Sequence, residues 1–281
     1  MSTSGTLYIV GTPIGNLEDI SFRALETLKK AQLILAEDTR KTKHLLNHFE
    51  IKNRLESYHK HNEKKKNSAI LKKLEKGEEI AIVSNAGMPL ISDPGYLLIK
   101  QVIEKKIPLI PIPGPTALTT ALAVSGLDSS AFSFFGFLPK KINARTNILI
   151  ELLNKKETLI FYESPNRILD TLNIISTIDF TRKIVIGREL TKIFEEIIYG
   201  EVKQIVDDIN SNKIKLKGEF VLLIEGYSET RESKSYTSEE LKNYLTETIT
   251  SDKISSKEAI SKVSKKLNIP KKIVYKASLD I

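Results

Sequence analysis

Short blocks of apolar residues alternate along the chain with amphipathic stretches, a pattern that predicts buried strands separated by helices. The run Ile80–Val83 is continuous, as expected of a strand that is buried on both faces. The turn-forming residues Ser84–Gly87 follow it, and Asp93-Pro94 then suits the cap and first turn of a helix with an apolar stripe over Tyr96–Ile103. Open α/β sheets bind ligands in loops at the carboxyl ends of strands. An ordinary strand-to-helix connection is the alternative for any single loop of this kind.

Two more units of strand, loop and helix are predicted before residue 125. One is Thr6–Val10 with the turn-rich loop Gly11–Asn16 and helical spacing over Leu17–Lys30, with Asp19 or Ser21 as possible caps. The other is the short strand Leu109-Ile110 with the loop Pro113–Ala117. The first of these loops lacks both the dinucleotide fingerprint G-x-G-x-x-G and the Gly-Lys-Ser/Thr of a P-loop, which argues against a nucleotide triphosphate site. We expect all three loops to face the same crevice.

The alternation continues after the aromatic segment FSFFGFLPKK at Phe132–Lys141. Further strands are predicted at Thr158–Tyr162, Lys183–Gly187, Ile193–Tyr199 and Glu219–Glu225. Repeated alternation of strands and helices, with polar residues at the strand ends, is typical of the α/β class. The phenylalanines of the aromatic segment are expected in the core, with a platform for nucleobases as the alternative.

The 281 residues include no cysteine, which excludes a disulfide framework, a thiolate nucleophile and a cysteine-ligated metal. The four histidines show no spacing such as H-E-x-x-H, so no metal site is predicted. No apolar run is long enough to span a bilayer, and the first five residues are too few and too polar for a signal peptide. We expect a soluble protein of the cytoplasm.

The formal net charge of +8 is concentrated near the C-terminus, where residues 253–281 carry eight lysines against two acidic residues. A basic extension on a nearly neutral body predicts a polyanionic partner, although it could also serve only solubility. The polar stretch Ser228–Ser235 predicts a flexible linker. Three helices are predicted after it, at Ser238–Thr248, Ser256–Leu267 and Pro270–Leu279.

The last two of these helices resemble a helix-turn-helix over Lys257–Ala277, which can dock on nucleic acid through its second helix. Lys271, Lys272 and Lys276 on that helix would then contact phosphates. A dimerisation or packing element is the alternative. The core predicted for this region consists of Ala259, Ile260, Val263, Leu267, Ile269, Val274 and Leu279.

Charged residues follow several of the predicted strands. Glu37–Arg40 could form a cluster at a site, or Asp38 could simply cap a helix over Thr39–His48. Glu163 and the pair Arg188-Glu189 stand at strand ends in the second half of the chain.

Seven motifs occur in order over most of residues 6–226: TPIGNLEDIS, AEDTRKT, SNAGMPLISDPGY, PIPGPTAL, GFLPKK, FYESPNR and RELTKIFEE. Each is weak alone, but the ordered set is specific. Together they resemble the ribosomal small-subunit RNA cytidine 2′-O-methyltransferases, a branch of the tetrapyrrole-methylase superfamily.

The resemblance implies two α/β domains of tetrapyrrole-methylase type, with S-adenosylmethionine (SAM) in the cleft between them, plus a small C-terminal helical module. We place the domains at residues 1–113 and 114–227, and the linker with the basic module at 228–281. A homodimer is also implied, together with methylation of a cytidine ribose hydroxyl in the decoding region of small-subunit ribosomal RNA.

The resemblance also carries roles onto particular residues. A ribose 2′-hydroxyl reacts only when a base draws on its proton or a cation stabilises its anion. We predict Glu163 or Asp38 as the base and Arg188, beside Glu189, as an electrostatic or phosphate contact; each could instead be a cap or an ion pair. The cofactor contacts implied by the resemblance are Pro13, Ser84, Gly87, Met88, Ile91, Thr116, Ala117, Tyr162 and Phe220.

One motif departs from its relatives, which carry Ser-Asp-Ala-Gly-Thr-Pro where this chain has Asn85 and Met88 in place of the aspartate and the threonine. Any role that needs that carboxylate or that hydroxyl is therefore in question. Two other functions stay open at this point. The same fold could methylate a tetrapyrrole or a modified protein residue, or the chain could be a noncatalytic regulator that binds nucleic acid through its tail.

Overall fold

The computed structural model describes residues 4–228, 238–252, 254–267 and 271–278. Contacts divide the chain into two compact units. The first unit contains residues 1–124 and 187–196, and the second contains residues 125–186 and 197–281. This division differs from the predicted domains over residues 114–124 and over the segment 187–196, both of which lie with the first unit.

The first unit is built on a five-stranded sheet with the order β3-β2-β4-β1-β5, in which every pairing is parallel. Its strands are β1 (Leu7–Val10), β2 (Leu33–Ala36), β3 (Leu55–Ser57), β4 (Ile80–Val83) and β5 (Leu109–Ile112). Parallel strands need crossover connections, and helices supply them: α1 (Phe22–Lys30), α2 (Thr39–His48), α3 (Glu63–Glu75), α4 (Tyr96–Glu104) and α5 (Ala117–Ser125).

Strand β4 lies at the centre of this sheet, and both of its faces are buried. Ile80 and Ile82 belong to one apolar cluster, together with Leu98 of α4. The alternate residues Ala81 and Val83 belong to a second cluster, which includes residues of α1. Successive side chains of a strand point to opposite faces, so the continuous apolar run reflects helices on both sides. The prediction for this strand is confirmed.

The helical spacing over Leu17–Lys30 starts too early, because α1 begins at Phe22. Ser21, one of the two predicted caps, is confirmed: its side chain accepts a hydrogen bond from the Ala24 backbone at 3.1 Å. Leu17–Asp19 form a separate 3₁₀ turn, capped by Asn16. Strand β3 was not predicted from the sequence.

The expected cap of α4 is also wrong. Gly95 occupies the cap position with a φ of 122°, and no side chain caps the helix. Asp93 therefore lies two residues before the cap, and its carboxylate is not used to start the helix.

The second unit holds another five-stranded sheet, with the order β6-β7-β10-β8-β9. Strand β7 is parallel to β6 and antiparallel to β10. The strands are β6 (Phe132–Phe137), β7 (Thr158–Glu163), β8 (Lys183–Arg188), β9 (Glu196–Glu201) and β10 (Phe220–Ile224). The helices beside them are α6 (Ile142–Leu152), α7 (Ile168–Ile178) and α8 (Val202–Asn210), and all three contribute to one apolar core with this sheet.

The aromatic strand β6 corrects another expectation. Phe132 is 44% exposed and Phe135 is 39% exposed, while Phe134 is half-buried, so none of the three is a core residue. The reason is the position of β6 at the edge of the sheet, where only β7 pairs with it.

The C-terminal part of the chain contains α9 (Ser238–Asp252), α10 (Ser256–Leu267) and α11 (Lys271–Ser278). Of the predicted core, Ala259, Val263 and Val274 are buried, and Ile260 and Leu267 pack against them. The predicted core residues Ile269 and Leu279 lie outside the described residues, as does most of the predicted linker, at 229–235. The side chains of the predicted phosphate contacts Lys271, Lys272 and Lys276 also lie outside the described part of the chain. Among the described helices, none combines the length and apolar character that crossing a membrane requires.

Candidate active site

The loops that follow β1, β4 and β5 meet at one edge of the first sheet, because these three strands are neighbours. Backbone atoms join the first two loops: Thr12 and Gly87 exchange two N–H to O bonds, each of 3.0 Å. The loops after β1 and β5 touch through two glycines. A Cβ on Gly11 would lie 2.7 Å from Cα of Gly114, so neither position has room for a side chain. The structure thus brings together the three loops that were expected to face one crevice.

Seven of the nine predicted cofactor contacts lie on these loops. Ser84 is buried, and its hydroxyl is 3.1 Å from the Gly87 carbonyl oxygen and 3.2 Å from that of Ala86. Gly87 has a φ of 81°, a conformation that favours glycine. Ile91 is 44% exposed. The others are half-buried: Pro13, Met88, Thr116 and Ala117.

The remaining two predicted contacts lie in the second unit, on opposite faces of its sheet. Phe220 is directly opposite Glu163 in the antiparallel pair and is 3% exposed within the apolar core. Tyr162, one residue along β7, therefore points to the other face. Its ring meets those of Phe134 and Phe137 edge-on, at centroid distances of 4.8 and 5.7 Å.

Asp38, one of the two predicted bases, is the cap of α2. Its Oδ1 accepts from the Arg40 backbone at 2.9 Å and from Arg40 Nε at 3.1 Å, and its Oδ2 accepts from Arg40 Nη2 at 2.8 Å. These bonds lower the pKa of Asp38 to about 2. The carboxylate is therefore held ionised by its own helix.

Glu163, the other predicted base, is enclosed at the start of α7. Its side chain has no exposed surface. Oε1 accepts from Arg167 and from the Ser164 backbone, the latter at 2.9 Å, and Oε2 accepts from the Thr171 hydroxyl at 3.0 Å. Arg145 Nη1 lies 3.9 Å from Oε2 and is itself buried. This network joins β7 to the helices α6 and α7.

Arg188 and Glu189 belong to the segment 187–196, which lies with the first unit. Arg188 holds Glu196 Oε2 through Nε at 2.9 Å and Nη2 at 2.8 Å. Glu189 accepts from Lys192 Nζ at 2.7 Å. The Asn16 backbone donates to the Thr191 hydroxyl at 3.1 Å, which attaches this segment to the loop after β1.

Hydrogen bonds at the ends of β2 and β4 join two stretches that lie far apart in the sequence. Asn85 Nδ2 donates to Glu37 Oε2 at 2.7 Å, and Asn85 Oδ1 accepts from the Asp38 backbone at 3.2 Å. Burial and the like charge of Glu37 raise the pKa of Asp93 to about 6, against the effect of a hydrogen bond from Ser84. The sequence placed Glu37 in a possible site cluster, Asn85 in a motif that departs from its relatives and Asp93 at a helix cap, but no pattern in it indicated that Glu37 and Asn85 are in contact.

The site at the first sheet suits a ligand that needs close backbone approach, because side chains at Gly11, Gly87 and Gly114 would fill it or strain it. The polar groups on these loops include backbone atoms and the hydroxyls of Thr12, Ser84 and Thr116. Such groups fit the amino-acid end and the adenine edge of SAM. No cluster of three or more potential metal ligands occurs within the described residues.

Comparison with known proteins agrees with this geometry. The family model of the tetrapyrrole (corrin/porphyrin) methylases matches residues 6–206 of this chain. The chain belongs to the tetrapyrrole methylase family, and the predicted α/β fold is confirmed.

Within that family, several relatives share one name, ribosomal RNA small subunit methyltransferase I. The protein of Halalkalibacterium halodurans is 46% identical over 272 residues, which cover 96% of this chain and 93% of that protein. The protein of Bacillus subtilis is 41% identical over 98% of this chain and 94% of its own length. The resemblance inferred from the motifs is confirmed.

Solved structures show the same fold at low sequence identity. A uroporphyrin-III C-methyltransferase of Thermus thermophilus, complexed with S-adenosyl homocysteine, has a TM-score of 0.54 at 15% identity and covers 79% of this chain and 97% of its own. A diphthine synthase has a TM-score of 0.59 at 13% identity, with coverage of 79% and 90%.

Proposed function

We propose that this protein is a SAM-dependent methyltransferase that methylates the 2′-oxygen of a cytidine ribose in small-subunit ribosomal RNA. The observation that carries the proposal is the identity of 46%, along nearly the whole chain, to a relative named ribosomal RNA small subunit methyltransferase I. The joined loops of the first unit support it, since they form a cradle of backbone atoms and small residues where the family resemblance expects the cofactor.

The proposed cofactor contacts in the first unit are Ser84 and Gly87 after β4, Pro13 after β1 and Thr116-Ala117 after β5, with Met88 and Ile91 beside them. Tyr162 and Phe220 stay predictions. SAM supplies a sulfonium methyl group, so the reaction requires neither a metal nor a covalent enzyme intermediate. The work left to the protein is to place the acceptor oxygen in line with that methyl at about 3–3.5 Å.

A ribose oxygen is the proposed acceptor for two reasons. The chain has no cysteine, which excludes the thiolate route to a pyrimidine carbon. Arg188 supplies a guanidinium that could stabilise a developing alkoxide or hold a phosphate. Glu196 already orients this guanidinium through two hydrogen bonds.

The lysine-rich tail is the proposed electrostatic contact with RNA, because a polyanion binds such a surface with release of counterions. We also propose a homodimer that acts in the cytoplasm on the small ribosomal subunit.

The proposal is tested with small subunits isolated from cells that lack the modification. Incubation with the protein and SAM should add one alkali-resistant dinucleotide with cytidine on its 5′ side. A 2′-methoxy group cannot attack the neighbouring phosphate, and this is why that linkage survives alkali. Mass spectrometry of the nucleosides should place the methyl on ribose.

Subunits incubated without SAM are the control for pre-existing modification. A methyl group found on a base or on a ribosomal protein would contradict the proposed acceptor while leaving a SAM-dependent enzyme. No transfer to the subunit at all, by a folded protein that binds SAM, would contradict the proposed substrate.

A further inference from the structure

The proposed reaction needs an acceptor for the ribose proton, yet both carboxylates predicted for this role are already engaged. Asp38 is held by the backbone and the side chain of Arg40. Glu163 is fully enclosed, and each of its oxygens accepts from neighbours in its own unit. A general base must come within hydrogen-bond reach of the proton that it removes. Neither carboxylate is arranged to do so.

Asp93 is arranged differently. It lies on the loop after β4 that also carries Ser84 and Gly87, two of the proposed cofactor contacts. Its side chain is half-buried, and it does not cap α4. It therefore shares a loop with two proposed cofactor contacts and has partial access from solvent.

Contacts with neighbouring segments hold this loop in its conformation. Leu90 and Ser92 have φ values of 73° and 68°, which are unusual for residues with a side chain. The Thr12–Gly87 bridge fixes one end of the loop, and Glu63 Oε2 accepts from the Gly95 backbone at 3.1 Å near the other. The surrounding structure thus maintains a costly backbone path on the segment that presents Asp93.

We propose that Asp93 is a catalytic residue of this methyltransferase and removes the proton of the ribose 2′-hydroxyl. The O–H bond breaks as the proton passes to the Asp93 carboxylate. The oxygen takes the methyl group as the S–CH₃ bond breaks, and the electron pair of that bond stays on sulfur. The products are the methyl ether, S-adenosyl homocysteine and a protonated Asp93 that loses its proton to water. This inference rests on the function proposed above.

The groups around Asp93 suit the role of a general base. Glu37, at the end of β2, is the like-charged group that acts on it. Glu63, at the start of α3, is engaged with the Gly95 backbone. A base works best when its pKa lies near the pH of the reaction, and the pKa of Asp93 is raised to about 6 by burial and by Glu37.

Glu37 is a positioning residue in this scheme, and Asn85 holds it in place. The Asn85 amide donates to Glu37 Oε2 at 2.7 Å, which fixes the position of that carboxylate. An aspartate at position 85, as in the related motif, would place a second carboxylate there instead. In this chain the amide instead anchors Glu37, the group whose like charge acts on Asp93.

The test compares single-turnover methyl transfer by the wild-type protein, Asp93→Asn, Glu37→Gln and the control Asp207→Asn. Asp207 is an exposed aspartate of α8, so its variant controls for the loss of one carboxylate. Asp93→Asn should reduce the rate about 10²–10⁴-fold, while calorimetry shows SAM affinity within about threefold of the wild type. Circular dichroism verifies that each variant is folded.

The pH dependence gives a second readout that a purely structural role would not produce. The wild-type rate should fall tenfold per pH unit below about 6. Glu37→Gln should move this break to lower pH, because it removes the like charge but keeps an acceptor for Asn85.

Two results would overturn the role of Asp93: a rate in Asp93→Asn within about threefold of the wild type, or a break that does not move in Glu37→Gln. Failure of the proposed function has a different signature. In that case the wild-type protein transfers no methyl to RNA although it binds SAM, and the assignment of the base is overturned with it.

Discussion

Replacing Asp93 with asparagine should make the protein more stable at pH 7.5, although the same change is expected to slow catalysis. The folded-state pKa of Asp93 is about 6, against an ordinary value of 3.8. At pH 7.5 the carboxylate is ionised in both states, and the folded state bears the cost of holding that charge half-buried beside Glu37. A difference of about two pKa units corresponds to roughly 3 kcal/mol. Partial exposure reduces this to on the order of 1 kcal/mol.

The gain in stability should depend on pH in a definite direction. As the pH falls through about 6, the folded protein takes up a proton at Asp93 and the cost disappears, while the unfolded chain stays ionised down to about 3.8. Thermal unfolding of Asp93→Asn should therefore show a Tm about 2–4 °C above the wild type at pH 7.5. The difference should shrink towards zero near pH 4. A variant that is less stable at pH 7.5, or a gain that stays constant with pH, would refute the reasoning.

Three further predictions address the cofactor loops, the enclosed glutamate and the tail. Gly87→Arg should abolish SAM binding in calorimetry. The control Gly126→Arg should retain it, because Gly126 also has a positive φ but no atom lies within 4 Å of a Cβ built there. Equal affinities in the two variants would remove the loop from the site. Glu163→Ala should cost about 3–5 kcal/mol in urea unfolding, because it removes the buried carboxylate that the buried Arg145 and the half-buried Arg167 share. A loss below about 1 kcal/mol would contradict this. Deleting residues 228–281 should weaken RNA binding and flatten its salt dependence with SAM affinity unchanged, and an unaltered slope would make the tail a structural or dimer element.

Much of the framework could be predicted from the sequence because it depends on local patterns. Ile80–Val83 reads as a doubly buried strand, and its small-residue loop marks a strand end that faces a ligand. The loops after β1 and β5 show the same combination of turn residues and following helix. Seven motifs in order then gave the family, which the comparisons confirm.

What could not be predicted depends on which strands are neighbours. The contact between Gly11 and Gly114 follows from the adjacency of β1 and β5, and no spacing in the sequence encodes it. The exposure of Phe132 and Phe135 follows from the edge position of β6. Asp93 reads as a helix cap because Pro94 follows it, yet Gly95 provides the turn into the helix instead.

The link between Thr12 and Gly87 consists of backbone atoms alone, and those atoms are present whatever side chain a neighbouring position carries. Exchanges at Asn85 and Met88 can therefore alter charge and polarity at the loop without redirecting its path. The sequence of this segment can therefore diverge without a change in its backbone geometry. The cradle can keep its shape through evolutionary drift while the chemistry presented to the acceptor is retuned one residue at a time.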